Sequence, residues 1–196
     1  MSKFSMKDFG ADTCGLPTMI RADDGAYRKV RSYSAWCRMF YRCYSDKFHE
    51  SSPTYLNCSI DNRWKKYSEF KDWFDVNYIP GFDLDKDILV CGNKVYSPEF
   101  CRYIPKALNL LLNKHENGSG EFPQGVSFDK RDCMIQSHIR INGKQHRIGY
   151  YDSVQEAHIA YKSAKEDYVK KEAKHYFDNG DIKIDIYNSL MSWKLQ

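Results

Sequence analysis

The clearest structural pattern in the chain lies in residues 125–174, which read GVSFDKRDCMIQSHIRINGKQHRIGYYDSVQEAHIAYKSAKEDYVKKEAK. Residues 134–141 alternate between apolar and polar side chains, which is the period-two pattern of a half-buried strand. Asn142 and Gly143 come next, and both tolerate the positive φ of a type I′ hairpin turn. Residues 145–151 then return as a strand, and residues 125–130 form a short strand ahead of the pair. The pattern predicts a three-stranded antiparallel sheet.

A helix is predicted directly after this sheet. Ser153 can cap its first turn, and Glu156 stands where it would complete a capping box. Ala157, Ala160 and Ala164 then recur at helical spacing, and such small residues let a helix pack closely on a sheet. We therefore expect one helix to cover one face of the sheet and to leave the other face open.

The open face is predicted to carry long polar side chains. Arginine can pair with guanine and glutamine with adenine in a major groove, which is wide enough to admit a narrow sheet. An ordinary solvated sheet face is the alternative that the pattern leaves open. By alternation, the residues that point to the open face are Ser127, Asp129, Arg131, Gln136, His138, Arg140, Gln145 and Arg147.

The order of these motifs resembles the DNA-binding domain of the Apetala/ethylene-response-factor family. The resemblance implies that the sheet enters the major groove of double-stranded DNA. It places Arg131, Arg140 and Arg147 toward the bases, Gln136, His138 and Gln145 beside them, and Lys130 and Lys144 as phosphate contacts. The chain departs from the family at Ser127 and Asp129, where arginine is expected, and at Arg147, where tryptophan is common, so the target sequence does not transfer. The matching residues are Gly125-Val126, His138-Ile139-Arg140, Asn142-Gly143-Lys144, Ile148-Gly149-Tyr150-Tyr151-Asp152-Ser153, Glu156-Ala157 and Ala160-Tyr161.

Composition sets broad limits on the chain. It has 196 residues, 42% of them hydrophobic, and a formal net charge of +4, which is compatible with a nucleic-acid partner but does not argue for one alone. No segment approaches the ~18 apolar residues of a membrane span, and the first residues lack a secretory signal. The seven cysteines are an odd number without a secretory signal, which favours reduced thiols in a cytoplasm. No pair has C-x-x-C spacing, which argues against a zinc ribbon. The prediction is a soluble cytoplasmic protein.

The N-terminal part is rich in aromatic residues at helical spacing. Residues 33–44 predict a helix that places Trp36, Met39, Phe40 and Cys43 on one buried face. Residues 62–78 predict a second helical region with Trp64, Phe70, Trp73 and Phe74 in the core. The first 26 residues show no periodicity and are expected to form a loosely ordered arm.

Residues 84–105 predict a strand, a turn and a helix. The strand covers residues 84–90, and Gly92 and Asn93 supply the turn. Ser97 is a good N-cap with Pro98 at the first helical position, and the helix should break near Pro105.

That unit resembles the ββα motif of His-Asn-His (HNH) nucleases. The resemblance implies that Asp85 and Asn109 hold a divalent metal, Mg or Mn, while Asn93 is the loop asparagine. Lys86 stands where the family has its general-base histidine, and a lysine with a reference pKa of ~10.4 is a poor base. Asp87 is a further candidate ligand or base. Two interpretations stay open, namely an unconventional nuclease and a unit that survives only as a scaffold.

The chain is therefore predicted to be an α+β protein with an aromatic-rich helical and HNH-like domain (residues 1–112), a flexible linker (113–124), the Apetala-like domain (125–178) and a tail (179–196). This arrangement is similar to the free-standing homing endonucleases of bacteriophages, whose setting would be the host cytoplasm. The predicted function is site-directed, metal-dependent hydrolysis of double-stranded DNA. The alternatives are a non-catalytic DNA-binding regulator and, third, a sheet face that binds another protein.

Overall fold

The structure is a computed structural model that describes residues 4–112 and 121–195 of a mixed α+β chain. The chain divides into two compact units, Met1–Ile104 and Pro105–Gln196. The predicted linker at residues 113–124 lies mostly outside the described residues. Within the described parts, no helix is long and apolar enough to cross a membrane.

The first unit combines helices with short paired strands. Strand β1 pairs with β2 antiparallel, β3 with β5 parallel, and β4 with β6. The hairpin of β1 and β2 begins inside the segment that was expected to be a loose arm. The elements in chain order are β1 (Met19–Arg21), β2 (Tyr27–Lys29), α1 (Arg31–Tyr44), α2 (Asp46–Ser51), β3 (Ser59–Ile60), α3 (Tyr67–Asn77), β4 (Phe82–Asp85), β5 (Val95–Tyr96) and β6 (Arg102–Pro105).

Aromatic rings from α1, α3 and the turn ahead of α3 build the core of the first unit. Trp36 and Trp64 are buried, and the indole nitrogen of Trp36 donates to the Trp64 carbonyl oxygen at 2.6 Å. Phe40, Phe70 and Phe74 are also buried. This burial confirms the predicted apolar faces. The large rings remove enough apolar surface from water to hold these short elements together.

The predicted strand and helix within residues 84–105 are wrong in detail. Strand β4 ends at Asp85, since the Asp85 carboxylate accepts from two following backbone N–H groups and turns the chain. Ser97 begins a turn rather than a helix, and the next helix, α4, starts only at Lys106. The Arg102 guanidinium donates to three carbonyl oxygens, and a helix would have paired two of them, those of Pro98 and Glu99, with its own N–H groups. The three carbonyls belong to Pro98, Glu99 and Cys101, at 3.2, 3.1 and 2.8 Å.

The second unit contains the predicted sheet, and its strand order is β7-β8-β9 with both pairs antiparallel. The hairpin turn has φ of 48° at Asn142 and 77° at Gly143, as a type I′ turn requires. The Ser153 hydroxyl accepts from the Glu156 N–H at 3.2 Å and caps the following helix. The elements are α4 (Lys106–Leu112), β7 (Val126–Asp129), β8 (Met134–Ile141), β9 (Lys144–Tyr151), α5 (Val154–Asp178) and α6 (Ile184–Met191).

Helix α5 covers one face of the sheet. Ile139 of β8 and Tyr161 of α5 are buried together, and Leu195 from the tail completes their cluster. Gly125 lies so close to Tyr161 that a Cβ at residue 125 would sit 2.1 Å from the ring. Helix α6, in the predicted tail, packs on α5 with Ile186 buried.

Candidate nucleic-acid interface

The register of the sheet gathers the predicted polar side chains on one face. Arg140 pairs with Gln145 across β8 and β9, and His138 pairs with Arg147. Residues that lie directly opposite each other in an antiparallel pair project from the same face. Because Ile139, their neighbour in β8, packs on α5, these four side chains point to the uncovered face, as the alternation predicted.

Strand β7 extends this face by one polar pair. Ser127 pairs with Gln136 of β8, and the Gln136 amide donates to the Ser127 hydroxyl at 3.1 Å. Asp129 lies on the same side at the end of β7, opposite Met134. The predicted positions of Ser127, Gln136 and Asp129 are therefore confirmed.

Arg131 does not lie on a strand, contrary to the prediction. The Asp129 carboxylate accepts from the backbone N–H groups of Arg131 at 3.0 Å and of Asp132 at 3.4 Å. This arrangement turns the chain between β7 and β8, and Cys133 completes the turn with a φ of 53°. Arg131 is thus presented from the turn at one end of the sheet.

Tyr150 is a member of the open face that the alternation did not find. The register shifts between Ser137 and His138, whose partners in β9 are Gly149 and Arg147, so Ile148 has no partner in the ladder. Such a bulge changes which residues share a face. Tyr150 pairs with Gln136 and therefore lies on the same side as Arg147, although an unbroken strand would have placed it on the opposite side.

Two carboxylates, those of Asp129 and Asp132, lie at one end of the open face. We call this end the acidic end, and its members are Asp129, Arg131, Asp132, Arg147 and Tyr150. The Tyr150 hydroxyl lies 2.7 Å from an Asp132 oxygen and 3.0 Å from an Asp129 oxygen. Arg147 donates to that hydroxyl at 2.7 Å, and its guanidinium lies 4.8 Å from the ring centre. Arg131 makes a two-point ion pair with Asp132, with bonds of 3.0 and 3.1 Å. Hydrogen bonds from Arg131 and then Tyr150 lower the pKa of Asp132 to about 2.

At the other end of the face, near the hairpin turn, none of the described residues of the open face is a carboxylate. Arg140 and Gln145 are exposed, and neither has a hydrogen-bond or ion-pair partner among residues 4–112 and 121–195. His138 is half-buried, and burial followed by the Arg140 charge lowers its pKa, so its imidazole is neutral at pH 7. Lys144 is exposed beside them, although its register partner Ile141 places it on the helix side of the pleat. We call this group of four side chains the basic end.

In the first unit, the side chain of Asp85, a predicted metal ligand, is hydrogen-bonded to the backbone. One carboxylate oxygen accepts from the N–H groups of Asp87 at 2.9 Å and Ile88 at 2.7 Å. Burial raises the pKa of Asp85 to about 7, and the neighbouring Asp87 charge adds to this effect.

Lys86 is held as a buried cation. It is 8% exposed, and its ammonium lies 3.2 Å from Asp87 and 5.6 Å from the centre of the Tyr55 ring. Burial alone would lower the pKa of Lys86, but Asp87, Cys58 and Asp85 outweigh this effect and raise it. A lysine that stays protonated donates hydrogen bonds and cannot accept a proton from water.

The side chain of the loop asparagine, Asn93, is hydrogen-bonded to the backbone of its own loop. Its amide donates to the carbonyl oxygens of Lys86 at 2.6 Å and Val95 at 2.7 Å. Its oxygen accepts from the Val95 N–H at 3.2 Å. Asn93 therefore fixes the position of residue 86 in the loop, and this contact needs no metal.

These contacts do not fit a divalent-cation site. One carboxylate oxygen of Asp85 already accepts from two backbone N–H groups. Asp87 is paired with the Lys86 ammonium, which itself places a positive charge beside both carboxylates. Across the described residues, no group of three His, Cys, Asp or Glu side chains is arranged to hold a metal ion. The predicted third ligand, Asn109, lies on α4 in the second unit. We therefore derive no metal-dependent step.

Comparisons with known proteins supply no family for the chain: no protein-family model matches it, nor does any curated protein or solved structure.

Proposed function

We propose that the protein binds double-stranded DNA by placing the open face of the β7-β8-β9 sheet in the major groove. The observation that carries this proposal is the pairing of Arg140 with Gln145 and of His138 with Arg147 on the face away from α5. These four side chains all lie on the β8-β9 ribbon, and a two-stranded ribbon fits a groove about 12 Å wide.

The two ends of the face have different roles in this proposal. At the basic end, Arg140 and Gln145 are exposed without internal partners, so DNA can take their hydrogen bonds at no cost in broken protein contacts. Arginine suits guanine and glutamine suits adenine, which makes this pair the centre of base reading. Lys144 beside them contacts phosphate, which positions the protein without specifying sequence.

At the acidic end, Asp132 and Tyr150 restrain the arginines. Arg131 is ion-paired with Asp132 and Arg147 is bonded to Tyr150, so each guanidinium is oriented before any ligand arrives. Orienting a long side chain in advance lowers the entropy lost on binding. The negative charge of Asp132 also weakens attraction to phosphate, so this end supplies orientation more than affinity.

The first unit supports the binding role rather than metal-dependent hydrolysis. Lys86 is protonated and buried, Asp85 accepts from the backbone, and Asn93 holds the loop that joins them. We infer that the HNH-like stretch acts as a folded scaffold, which is the non-catalytic alternative to a homing-type endonuclease.

Duplex binding by the full chain at increasing salt tests the proposal. A labelled duplex of random sequence should bind, and the logarithm of the association constant should fall with log salt by about 0.9 for each phosphate contact. Selection from a random-sequence duplex pool should then enrich one motif. Binding that does not change with salt, or a pool that never converges, would contradict base reading by the sheet.

A further inference from the structure

The second unit contains a cavity whose lining the DNA-binding proposal uses only in part, since His138, Arg140 and Gln145 of the basic end border it. Its volume is about 610 Å³, and it lies between α4, α5 and the hairpin of β8 and β9. This volume falls in the range of about 300–1,000 Å³ typical of small-molecule sites. The walls include Leu108 and Leu111 of α4 and the rings of Tyr161, Tyr168 and Tyr176 on α5.

Lys165 of α5 lines this cavity and has no counter-ion. The residue is 5% exposed, and its ammonium lies 6.0 Å from the centre of the Tyr161 ring. Within residues 4–112 and 121–195, it has neither an ion-pair nor a hydrogen-bond partner. A buried, unpaired ammonium is costly, and burial lowers the pKa of Lys165.

Other charged groups at the cavity leave this imbalance in place. Glu172, two turns further along α5, also lines the cavity but makes no ion pair with Lys165. Arg140 of β8 borders the cavity as well and adds a second positive charge. The result is a space with apolar and phenolic walls and an unmatched cation, which is the chemistry that selects an anion with an apolar body.

We propose that this cavity binds a small organic anion whose apolar body lies against the leucine and tyrosine side chains and whose carboxylate or phosphate pairs with Lys165. The charged contact would be formed at a buried ammonium, where an ion pair is stronger than at the surface. The same ammonium that is costly in the free protein would then be stabilised in the complex.

Calorimetric titration of the full chain with matched probes tests this inference. The probes are decanoate, decyl phosphate and decanol, which share one apolar chain and differ in the head group. At least one of the two anions should bind ten times or more tighter than decanol. Equal affinity for all three, or no binding of either anion, would overturn the proposal, whereas a preference between the two anions identifies the head group.

Two variants locate the charged contact. Lys165→Met keeps the length and apolar stem of the side chain, and it should remove the preference for the anion over decanol. Lys171→Met, which removes a charge from an exposed site on the same helix, should leave that preference unchanged. Anion binding that survives Lys165→Met at full strength would also overturn the proposal, provided that circular dichroism shows a folded variant.

Discussion

The hydroxyl of Tyr150 lies 2.7 Å from a carboxylate oxygen of Asp132, on the face of the sheet that α5 leaves open. The contact joins the end of β9 to the turn that follows β7. It places a negative charge between Arg131 and Arg147, where a DNA phosphate would otherwise be attracted. The acidic end is therefore pre-oriented and partly neutralised in the free protein.

Removing this negative charge should tighten non-specific DNA binding. For Asp132→Asn we expect the affinity for a random-sequence duplex at low salt to rise about two- to five-fold, since a single solvent-exposed charge contributes only modestly to binding. Fluorescence anisotropy measures this change. Asp181→Asn removes an exposed carboxylate after α5 and should have little effect. Unchanged binding by Asp132→Asn would place DNA away from the acidic end.

The contact between Gly125 and Tyr161 should be essential to the second unit. Gly125 has a φ of 79°, and a Cβ there would lie 2.1 Å from the ring. We expect Gly125→Ala to cost about 2 kcal/mol or more, because the clash adds to the strained backbone. Gly143→Ala is the matched control, since Gly143 has a φ of 77° and open space around it. Similar losses in thermal denaturation would show that Tyr161 moves aside without cost.

The buried charge of Lys165 should make stability depend on pH. Its pKa is lowered in the folded state, so the unfolded chain binds the proton more tightly, and the penalty is full below the folded pKa and gone above the unfolded value of about 10.4. Lys165→Met should therefore stabilise the second unit by about 1–3 kcal/mol at pH 7. The difference in Tm between variant and wild type should shrink toward pH 10. A constant difference would mean that Lys165 does not titrate in this way.

The first unit should not cleave DNA by a metal-dependent reaction. Lys86 is protonated and Asp85 is engaged by backbone N–H groups, so supercoiled plasmid should stay intact when Mg²⁺ or Mn²⁺ is added. Asp85→Ala run in parallel separates a genuine activity from a contaminant. Metal-dependent nicking by the wild type that disappears in Asp85→Ala would restore the endonuclease interpretation.

Local sequence signals predicted the second unit well. Alternation in β8, the Asn142-Gly143 turn and the Ser153 cap each depend on neighbouring residues, so they can be read without knowledge of the rest of the chain. Tyr150 could not be predicted, because the bulge at Ile148 depends on how two strands meet. The local sign of this bulge would be a break in the apolar–polar alternation of β9, and Gly149 obscures that break.

The first unit was harder to predict, for a physical reason. Ser97 and Pro98 have the local chemistry of a helix start, but the Arg102 guanidinium takes two carbonyl groups that a helix would use. The role of Asp85 was likewise decided by a turn that forms immediately after it. In both places a side chain competes with the backbone for hydrogen bonds, and sequence spacing does not show which one wins.

The most direct test of the proposed function compares Arg140→Ala with Lys183→Ala on two duplexes, one carrying the selected motif and one random. Each variant loses one positive charge, but Lys183 lies outside the sheet, just ahead of α6. If Arg140 reads a base, Arg140→Ala should weaken binding to the motif by about 1–3 kcal/mol, with a smaller loss on random DNA, while Lys183→Ala stays close to wild type on both. Equal losses for Arg140→Ala on both duplexes, or none on either, would contradict base reading by the open face of the sheet.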